Sequence, residues 1–336
     1  MTTRGLVLGK FMPPHAGHMV LCETARALVD ELTILVCWLP DDPIAGERRL
    51  AWMRECFPDC RVIGHGAVVP QYPEDDPDFW PIWRAIVREA CPDRLDMVFA
   101  GEDYGLTLAE QVGAKFVPVL RGEWLAPTLA NGLSASAVRA DPLGLWDALP
   151  APVRRDMALR VCLHGAESTG KSTLATRLAR HCGTVFVPEY GRDYCEIHGT
   201  HLTSGDLLHV GQVQHAMINA AASQAHGVLF TDTDALMTAA WHEMLFESVP
   251  PPLLDYPRAD LYLLLEADVA WIDDGTRFFG EDDLRSRFAA ISRDMLQRAG
   301  CRWISISGSW AEREAAAIAA IDALLAKMPE RFGGSG

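Results

Sequence analysis

Residues 159–182 read LRVCLHGAESTGKSTLATRLARHC, and they contain the motif that is most informative about the fold of the second half of the chain. Its centre, GAESTGKS at 165–172, matches the pattern G-x-x-x-x-G-K-[S/T] at every fixed position. An apolar, strand-like run precedes the glycines and a helix-like run follows them, which is the context that this pattern requires. Backbone N–H groups and the helix N-terminus would then hold phosphate. A chance glycine-rich turn is the alternative, and the flanking strand and helix disfavour it.

The same loop predicts an ATP site with a magnesium ion. In loops of this type the lysine reaches the β- and γ-phosphates and the following hydroxyl ligates Mg²⁺, so we assign these roles to Lys171 and Ser172. The residues predicted to bind this ATP are Gly165, Glu167, Ser168, Thr169, Gly170, Lys171, Ser172 and Thr173.

Carboxylates at the ends of two later strands favour a kinase over other proteins with such a loop. The run GTVFVPEY ends at Glu189 and Tyr190, and the run GVLFTDTD ends at Asp232 and Asp234. The carboxyl ends of parallel strands meet at one edge of the sheet, where ligands bind. One aspartate would complete the Mg²⁺ shell, and we choose Asp232. Glu189 or one of the aspartates would orient the attacking hydroxyl, and the sequence does not rank them; a solvated loop carboxylate is the alternative for each.

Arginines follow in DDGTRFFGEDDLRSRF, residues 273–288. This segment lies between a predicted strand and a helix, where a lid would bring cations onto the transferring phosphoryl group. Arg277 is the predicted catalytic arginine. Arg285 and Arg287 are further candidates, with an exposed helix face as their alternative.

A second phosphate site is predicted at residues 9–18, GKFMPPHAGH, which follow the first strand. His15 and His18 lie three residues apart and share one face of the opening helical turn. Their imidazoles can donate to phosphate oxygens, a contribution of about 3–4 kcal/mol at a transition state. Metal binding lacks a third ligand at a suitable spacing, and two core histidines are the other alternative. Gly9, Lys10 and Phe11 complete the predicted loop.

Cations for the far side of a triphosphate are offered by GLSASAVRADP, residues 132–142. Ser134 and Ser136 can cap the next helix, and Arg139 lies three residues after Ser136. The pattern S-x-S-x-x-R is weak alone and is strengthened by its pairing with H-x-G-H.

The composition of the chain limits the class of protein to which it can belong. The chain has 336 residues, of which 49% are hydrophobic and 22% charged, and its net charge is −15. This balance predicts packed domains, and the negative charge argues against a broad nucleic-acid or membrane-surface role. No direct membrane insertion is expected, because the longest apolar run is far shorter than a membrane span. Nine cysteines without a C-x-x-C pair, and no signal peptide, predict a reduced, cytoplasmic protein.

Two series of alternating strands and helices predict an α/β protein with two doubly wound parallel-sheet domains. The boundary is predicted near 155, giving a first domain at 1–155, which includes the linker 140–155, and a second at 156–330. Residues 331–336, RFGGSG, are expected to be flexible. The predicted strands lie near 4–9, 32–38, 60–63, 95–100, 114–119, 159–164, 184–188, 227–231, 260–266 and 302–306.

These motifs resemble a known family. The first domain resembles the H-x-G-H nucleotidyltransferase superfamily, and the chain from about 4 to about 328 resembles NadR-type bifunctional nicotinamide mononucleotide (NMN) adenylyltransferase/ribosylnicotinamide kinases. The matching segments, in order, are GKFMPPHAGH, GERRLAWMRECFP, AGEDYG, SASAVRADP, GAESTGKST, PEYGRDY, TDTD and DDGTRFFG. Some relatives carry an N-terminal helix-turn-helix domain, which we expect this chain to lack. Many have a lysine where this chain has Ala137 or Val138.

The resemblance implies a two-step enzyme that uses ATP and Mg²⁺. Ribosylnicotinamide would be phosphorylated to NMN, which ATP would then adenylylate to NAD. The implied partners are these small molecules, and a homo-oligomer is left open. Lys10, His15, His18, Ser136 and Arg139 would bind the first site's ATP, and Gly101, Glu102 and Asp103 would line its ribose. The residues implied to contact nicotinamide or its nucleoside are Trp80, Trp83, Glu189, Tyr190 and Asp234, with core packing as the alternative for the tryptophans.

Two alternatives stay open at this point. The transferase domain could bind NAD or NMN as a sensor without chemistry, which the absent lysine supports. The chemistry could also act on a different nucleoside or phosphate acceptor, because motifs do not encode pocket shape.

Overall fold

The structure, a computed structural model, describes residues 2–119, 133–269 and 282–334. Contacts between Cα atoms divide the chain into two compact units. The first contains Met1–Val153 together with Met328–Gly336, and the second contains Arg154–Lys327. Arg277, the predicted catalytic arginine, lies outside the described residues.

The first unit is built on a parallel five-stranded sheet with the order β3-β2-β1-β4-β5. Its central strands are buried on both faces, so they read as continuous apolar runs; every residue of β2 after its first is buried. The strand order reverses between β1 and β4, and the loops after these strands therefore flank the crevice where such sheets bind ligands. The strands are β1 (Arg4–Gly9), β2 (Glu31–Cys37), β3 (Arg61–His65), β4 (Met97–Ala100) and β5 (Lys115–Pro118).

Helices connect these strands, and most of them bury one apolar face against the sheet. In α3, for example, Phe79, Trp83, Ile86 and Val87 recur at the three- and four-residue spacing of one helical face, and all are buried. A 3-10 turn, Trp146–Ala148, lies between the short helices Ala135–Ala140 and Ala151–Met157. The helices are α1 (Ala16–Leu28), α2 (Gly46–Cys56), α3 (Phe79–Ala90), α4 (Tyr104–Val112), α5 (Ala135–Ala140) and α6 (Ala151–Met157), whose last residues enter the second unit.

The second unit repeats the design with the order β10-β9-β6-β8-β7, again parallel throughout. Its strands are β6 (Leu159–His164), β7 (Phe186–Val187), β8 (Val228–Asp232), β9 (Leu261–Leu265) and β10 (Trp303–Ile306). Its helices are α7 (Lys171–His181), α8 (Tyr190–His198), α9 (Ser204–Ala222), α10 (Ala235–Phe246), α11 (Pro251–Leu254), α12 (Asp282–Arg298) and α13 (Trp310–Leu325). The predicted α/β fold with two doubly wound parallel sheets is confirmed.

The C-terminal segment differs from the sequence expectation. A last helix, α14 (Met328–Arg331), and the residues after it belong to the first unit. Met328 and Phe332 are fully buried, and the Phe332 ring meets Trp146 edge-on at a centroid distance of 6.3 Å. The expected flexible tail is therefore wrong at Phe332, because an aromatic side chain there completes an apolar contact.

All nine cysteines are free thiols. Among the described helices, none combines the length and the apolar character needed to cross a bilayer.

Candidate functional sites

The glycine-rich loop of the second unit joins β6 to α7, as predicted. Gly165 and Gly170 have φ values of 128° and 90°, a region that residues with a Cβ adopt rarely. A Cβ on Gly165 would lie 2.5 Å from the Leu265 carbonyl oxygen, and one on Gly170 would overlap the Trp310 ring. Both glycines are thus required by backbone conformation and by space.

Lys171 lies across this loop. Its Nζ donates to the carbonyl oxygens of Gly165 and Ala166, each at 3.0 Å. The buried Thr169 hydroxyl donates to the same Ala166 oxygen at 2.9 Å. The ammonium group is consequently held over the loop that would enclose a phosphate. The other predicted loop residues lie between Gly165 and the first turn of α7: Glu167, Ser168, Ser172 and Thr173.

A pocket opens beside this loop, and the predicted residues Glu167, Ser168, Lys171 and Glu189 line it. Tyr190 and Asp234 are not among the described residues that line it. Several lining residues from α8, α9 and α10 were not predicted from the sequence. They include polar, apolar and aromatic groups: Arg192, Gln214, Met237, Thr238 and Trp241. The sequence signal for Arg192 and Met237 as pocket residues was limited to their positions shortly after the ends of β7 and β8.

Gln214 fixes two walls of the pocket. This buried side chain accepts from the Tyr190 N–H at 2.8 Å and donates to the Pro188 carbonyl at 3.1 Å. Its Nε2 also approaches the Thr233 carbonyl at 3.5 Å. Because Pro188 and Tyr190 bracket Glu189, the amide of Gln214 orients the backbone that carries this carboxylate.

Glu189 is half-buried and has a perturbed pKa. Burial is the largest cause that raises the pKa of its carboxyl, Asp232 raises it as well, Lys171 and Arg192 oppose the shift, and the resulting pKa is about 7. A carboxylate that titrates near neutral pH can accept a proton from a hydroxyl. Glu189 therefore has the environment of a general base, the role that the sequence left open between it and the aspartates.

Asp232 and Asp234 have different surroundings. Asp232, 2% exposed, has a buried Oδ1 that accepts no hydrogen bond within the described part of the chain. Asp234 caps α10: its Oδ1 accepts from the N–H groups of Leu236 and Met237, and its Oδ2 accepts from the Tyr262 hydroxyl at 2.6 Å. The structure accounts for Asp234 by capping, so its contact with a nucleoside stays a prediction. Asp232 offers the oxygen that a cation can use.

Thr233, between the two aspartates, has φ at 72°, an unusual value for a β-branched residue. Such a conformation costs on the order of 1–3 kcal/mol and is common at ligand sites. Its N–H donates to the Leu163 carbonyl at 3.2 Å, which holds this turn against β6.

The arginines after the predicted lid have contrasting positions. Arg285 is buried and donates to the Val269 carbonyl at 3.0 Å, so the exposed-face alternative is wrong for it. Arg287 is exposed and lies 3.5 Å from Glu247, which fits that alternative.

A buried polar cluster lies at the end of β6 behind the glycine-rich loop. Cys162, His164 and Asp234 place their ligand-type atoms within 4.8 Å of one another. His164 Nε2 lies 3.0 Å from the Ser292 carbonyl and must donate to it, and burial lowers the pKa of this histidine to about 3. The cluster is enclosed in the core, and both oxygens of Asp234 already accept hydrogen bonds, which makes it a structural network.

In the first unit, His15 caps α1 with its ring. Its Nδ1 accepts from the Gly17 N–H at 3.1 Å. A neutral imidazole that accepts at Nδ1 carries its proton on Nε2, so this ring presents a donor at Nε2. A Cβ on Gly17 would lie 3.0 Å from the His15 ring. The cap therefore gives a structural reason for the spacing H-x-G-H.

The rings of His15 and His18 lie at a centroid distance of 3.9 Å with an angle of 36° between their planes, which brings the two predicted donors together. The buried Phe11 ring lies 5.0 Å from His18 and supports it from the core side. Phe11 itself has φ at 49°. Gly9 ends β1 immediately before this turn.

Arg139 joins the same loop although it lies 127 residues away in sequence. Its Nη1 donates to the Met12 carbonyl at 2.6 Å and its Nη2 to the Ser136 hydroxyl at 3.2 Å. Ser134 caps α5 by accepting from the Ala137 N–H at 3.1 Å. The structure thus brings the S-x-S-x-x-R segment to the H-x-G-H loop, as the sequence predicts.

A buried ion pair beneath Lys10 was missed by the sequence analysis. Arg49, with no exposed surface, donates to Asp42 at 2.7 Å and to the Lys10 carbonyl at 2.7 Å. Lys10 Nζ lies 3.4 Å from the other oxygen of Asp42. Burial opposes ionisation of Asp42, but donors from Leu39 and Arg49 outweigh it and lower its pKa. The only sequence signal was the segment GERRL.

The remaining predicted residues of this unit lie on two other elements. Gly101, Glu102 and Asp103 are exposed in the loop between β4 and α4. The next residue, Tyr104, donates from its hydroxyl to the Leu8 carbonyl at 2.9 Å, which ties this loop to the end of β1. Their contact with a ribose stays a prediction.

Trp83 is buried and donates from its indole to the Pro70 carbonyl at 3.0 Å, while Trp80 is half-buried against Phe79. Core packing accounts for Trp83, and stacking on nicotinamide stays a prediction for both tryptophans.

The fold and these sites define an α/β protein with two parallel five-stranded sheets. A family model described as an AAA domain matches residues 160–313. The particular proteins that the chain resembles are NadR proteins. It is 28% identical over 330 residues to the trifunctional NAD biosynthesis/regulator protein NadR of Escherichia coli strain K12, covering 90% of this chain and 78% of that protein.

Two solved structures share the fold. A NadR protein in complex with NR gives a TM-score of 0.75, and a NadR protein in complex with NAD and AMP-PNP gives 0.71. Each is 23% identical, and each comparison covers 97% of both chains. The likeness therefore extends over nearly the whole chain.

Proposed function

We propose that the protein makes NAD in two steps from ribosylnicotinamide and ATP. The second unit transfers the γ-phosphoryl group of ATP to the nucleoside 5′-hydroxyl, giving NMN and ADP. The first unit then adenylylates NMN, giving NAD and pyrophosphate. The observation that carries the proposal is the pairing of a glycine-rich loop and acceptor pocket in one unit with an H-x-G-H loop and its arginine in the other. Similarity to the NAD biosynthesis protein NadR supports the choice of substrates.

In the kinase step the geometry supports three roles. Lys171 would leave the carbonyls of Gly165 and Ala166 for the phosphates of ATP. Glu189 would accept the proton of the 5′-hydroxyl. The hydroxyl oxygen would bond to the γ-phosphorus, and the bond between that phosphorus and the ADP oxygen would break. Trp241 and Met237 offer apolar surface for the base.

Magnesium fits this site because Ser172 and Asp232 supply the hard oxygen ligands that it prefers, and the buried Oδ1 of Asp232 has no described partner. When bound, the ion would neutralise charge on the phosphate oxygens.

In the transferase step, the phosphate oxygen of NMN would attack the α-phosphorus of ATP and pyrophosphate would leave. His15 and His18 would donate to the phosphate oxygens as negative charge develops, and such preorganised donors favour the transition state. Arg139 would add a cation for the triphosphate, since its side chain already contacts the loop at Met12. Neither step needs a covalent enzyme intermediate.

Variants that disable one loop at a time test this division. Lys171→Ala should abolish NMN formation and leave adenylylation of supplied NMN intact, and His18→Ala should do the reverse. Lys115→Ala and His181→Ala change exposed residues away from both loops and serve as matched controls. Loss of both reactions in either folded variant would contradict the assignment.

A further inference from the structure

The C-terminal segment 328–334, here called the clasp, lies against Pro43 and Arg139 of the first unit. It follows the second unit in sequence and belongs to the first. Two of its apolar side chains, Met328 and Phe332, have no exposed surface. Displacing the segment would expose the apolar ring of Phe332 to water, which is unfavourable, so this contact favours the packed position.

The conformation of the clasp is set by its own sequence. The N–H of Gly334 donates to the Pro329 carbonyl at 2.8 Å, and that of Gly333 donates to the Glu330 carbonyl at 3.0 Å. With Gly333 at φ 74°, these are the two hydrogen bonds of a Schellman helix end. This left-handed residue turns the chain sharply after α14.

The turn places backbone against two segments of the transferase site. A Cβ on Gly333 would overlap Pro43, and a Cβ on Gly334 would lie 2.9 Å from the Arg139 carbonyl oxygen. Pro43 follows Asp42, the partner of Lys10 and Arg49. Arg139 is the side chain that donates to Met12. One short segment therefore touches both neighbours of the loop that carries His15 and His18.

We propose that the clasp is a positioning element of the transferase site, so that adenylyl transfer depends on residues that follow the kinase unit in the chain. This inference rests on the proposed transferase function. With the clasp in place, the backbone of Pro43 and of Arg139 is held, and with it the cationic groups of Lys10 and Arg139. Without it, both cations lose this support, and ATP binding in this site weakens.

The test uses the full-length chain and measures both reactions in every variant. In Phe332→Ala we expect the KM for ATP in adenylyl transfer to rise at least fivefold, while kinase kcat/KM stays within twofold of wild type. Phe332→Leu, which keeps apolar volume, should recover most of the affinity. Gly333→Ala, strained at its φ and blocked by Pro43, should behave like Phe332→Ala. Phe246→Ala, which truncates an exposed phenylalanine of α10, is the matched control and should change neither reaction.

A merely structural role gives another pattern, because partial unfolding lowers the amount of active enzyme and hence kcat, and leaves KM for ATP unchanged. That pattern would overturn the proposal, as would equal loss of both reactions or unchanged transferase kinetics in Phe332→Ala and Gly333→Ala. If the wild-type protein makes no NAD from NMN, the proposed function fails instead. The clasp is then judged by calorimetry of ATP binding in the Lys171→Ala background, where Phe332→Ala must weaken the binding that remains.

Discussion

Asp232 and Asp234 are separated by one residue, yet Asp234 uses both carboxylate oxygens inside the protein while Asp232 keeps a buried oxygen without a described partner. Thr233, with its positive φ, is the reason. The turn at this residue sends Asp234 to the N-terminus of α10 and leaves Asp232 at the strand end, beside the glycine-rich loop.

This difference predicts that replacing aspartate by asparagine lowers catalysis at position 232 and stability at position 234. Asp232→Asn should lower kinase kcat by at least 10²-fold, an effect typical of lost charge stabilisation at a transition state, with little change in the free energy of unfolding. Asp234→Asn should cost about 1–3 kcal/mol of unfolding free energy, because it disturbs a buried cap and the hydrogen bond from Tyr262. Urea unfolding and initial rates measure the two quantities. A stability loss confined to Asp232→Asn would reverse the assignment.

The raised pKa of Glu189 predicts the pH dependence of the kinase. The base must be ionised to accept a proton, and its pKa is about 7, so kcat/KM should fall about tenfold per pH unit below that value. Glu189→Gln should remove this limb and lower the rate by about 10²–10⁴-fold. Glu196→Gln, an exposed neighbour on α8, should retain the limb. A Glu189→Gln enzyme that keeps the wild-type profile would exclude Glu189 as the base.

The pair of Asp42 and Arg49 predicts a large stability effect in the first unit. Asp42→Asn leaves a fully buried guanidinium without its counter-ion, and breaking such a pair typically costs about 3–5 kcal/mol. The exposed pair of Arg26 and Asp59 is the control, since exposed pairs contribute about 0–1 kcal/mol. Urea unfolding of Asp42→Asn and Asp59→Asn compares them. If the two variants lose the same free energy of unfolding, the buried pair does not stabilise the protein around Lys10 more than an exposed pair would.

The glycine-rich loop predicts a contrast between two glycines with positive φ. Gly170→Ala must displace the Trp310 ring, whereas a Cβ on Gly183 meets nothing within 4 Å. Both substitutions carry the conformational strain of a left-handed residue, about 1–2 kcal/mol. Only Gly170→Ala should also reduce kinase activity, by at least tenfold. If Gly183→Ala reduces kinase activity equally, the loss is explained by backbone strain and not by the contact with Trp310.

The strands and both phosphate loops could be predicted because local sequence patterns determine them. Buried parallel strands appear as short apolar runs, and both phosphate loops have fixed spacing between a strand and a helix, so their positions could be found from one chain. The contact of Arg139 with the H-x-G-H loop followed from pairing two motifs, and geometry then supplied the Met12 carbonyl as the contact point.

Other parts depend on contacts between distant residues. Arg49 resembles any charged helix residue until its burial beneath Lys10 is known. Trp241 occurs in an ordinary helix, and nothing nearby in sequence marks it as a pocket wall. Phe332 lies in a glycine-rich end that has the composition of a flexible tail, and its burial depends on Trp146, 186 residues earlier.

The most direct test of the two-step account is product analysis of the wild-type protein incubated with ribosylnicotinamide, ATP and Mg²⁺. Mass spectrometry over time should show NMN rising first, followed by NAD, with one pyrophosphate released per NAD and one ADP formed per nucleoside consumed. NMN that accumulates without NAD or pyrophosphate would contradict the transferase step, and unchanged ribosylnicotinamide in the presence of ATP would contradict the kinase step.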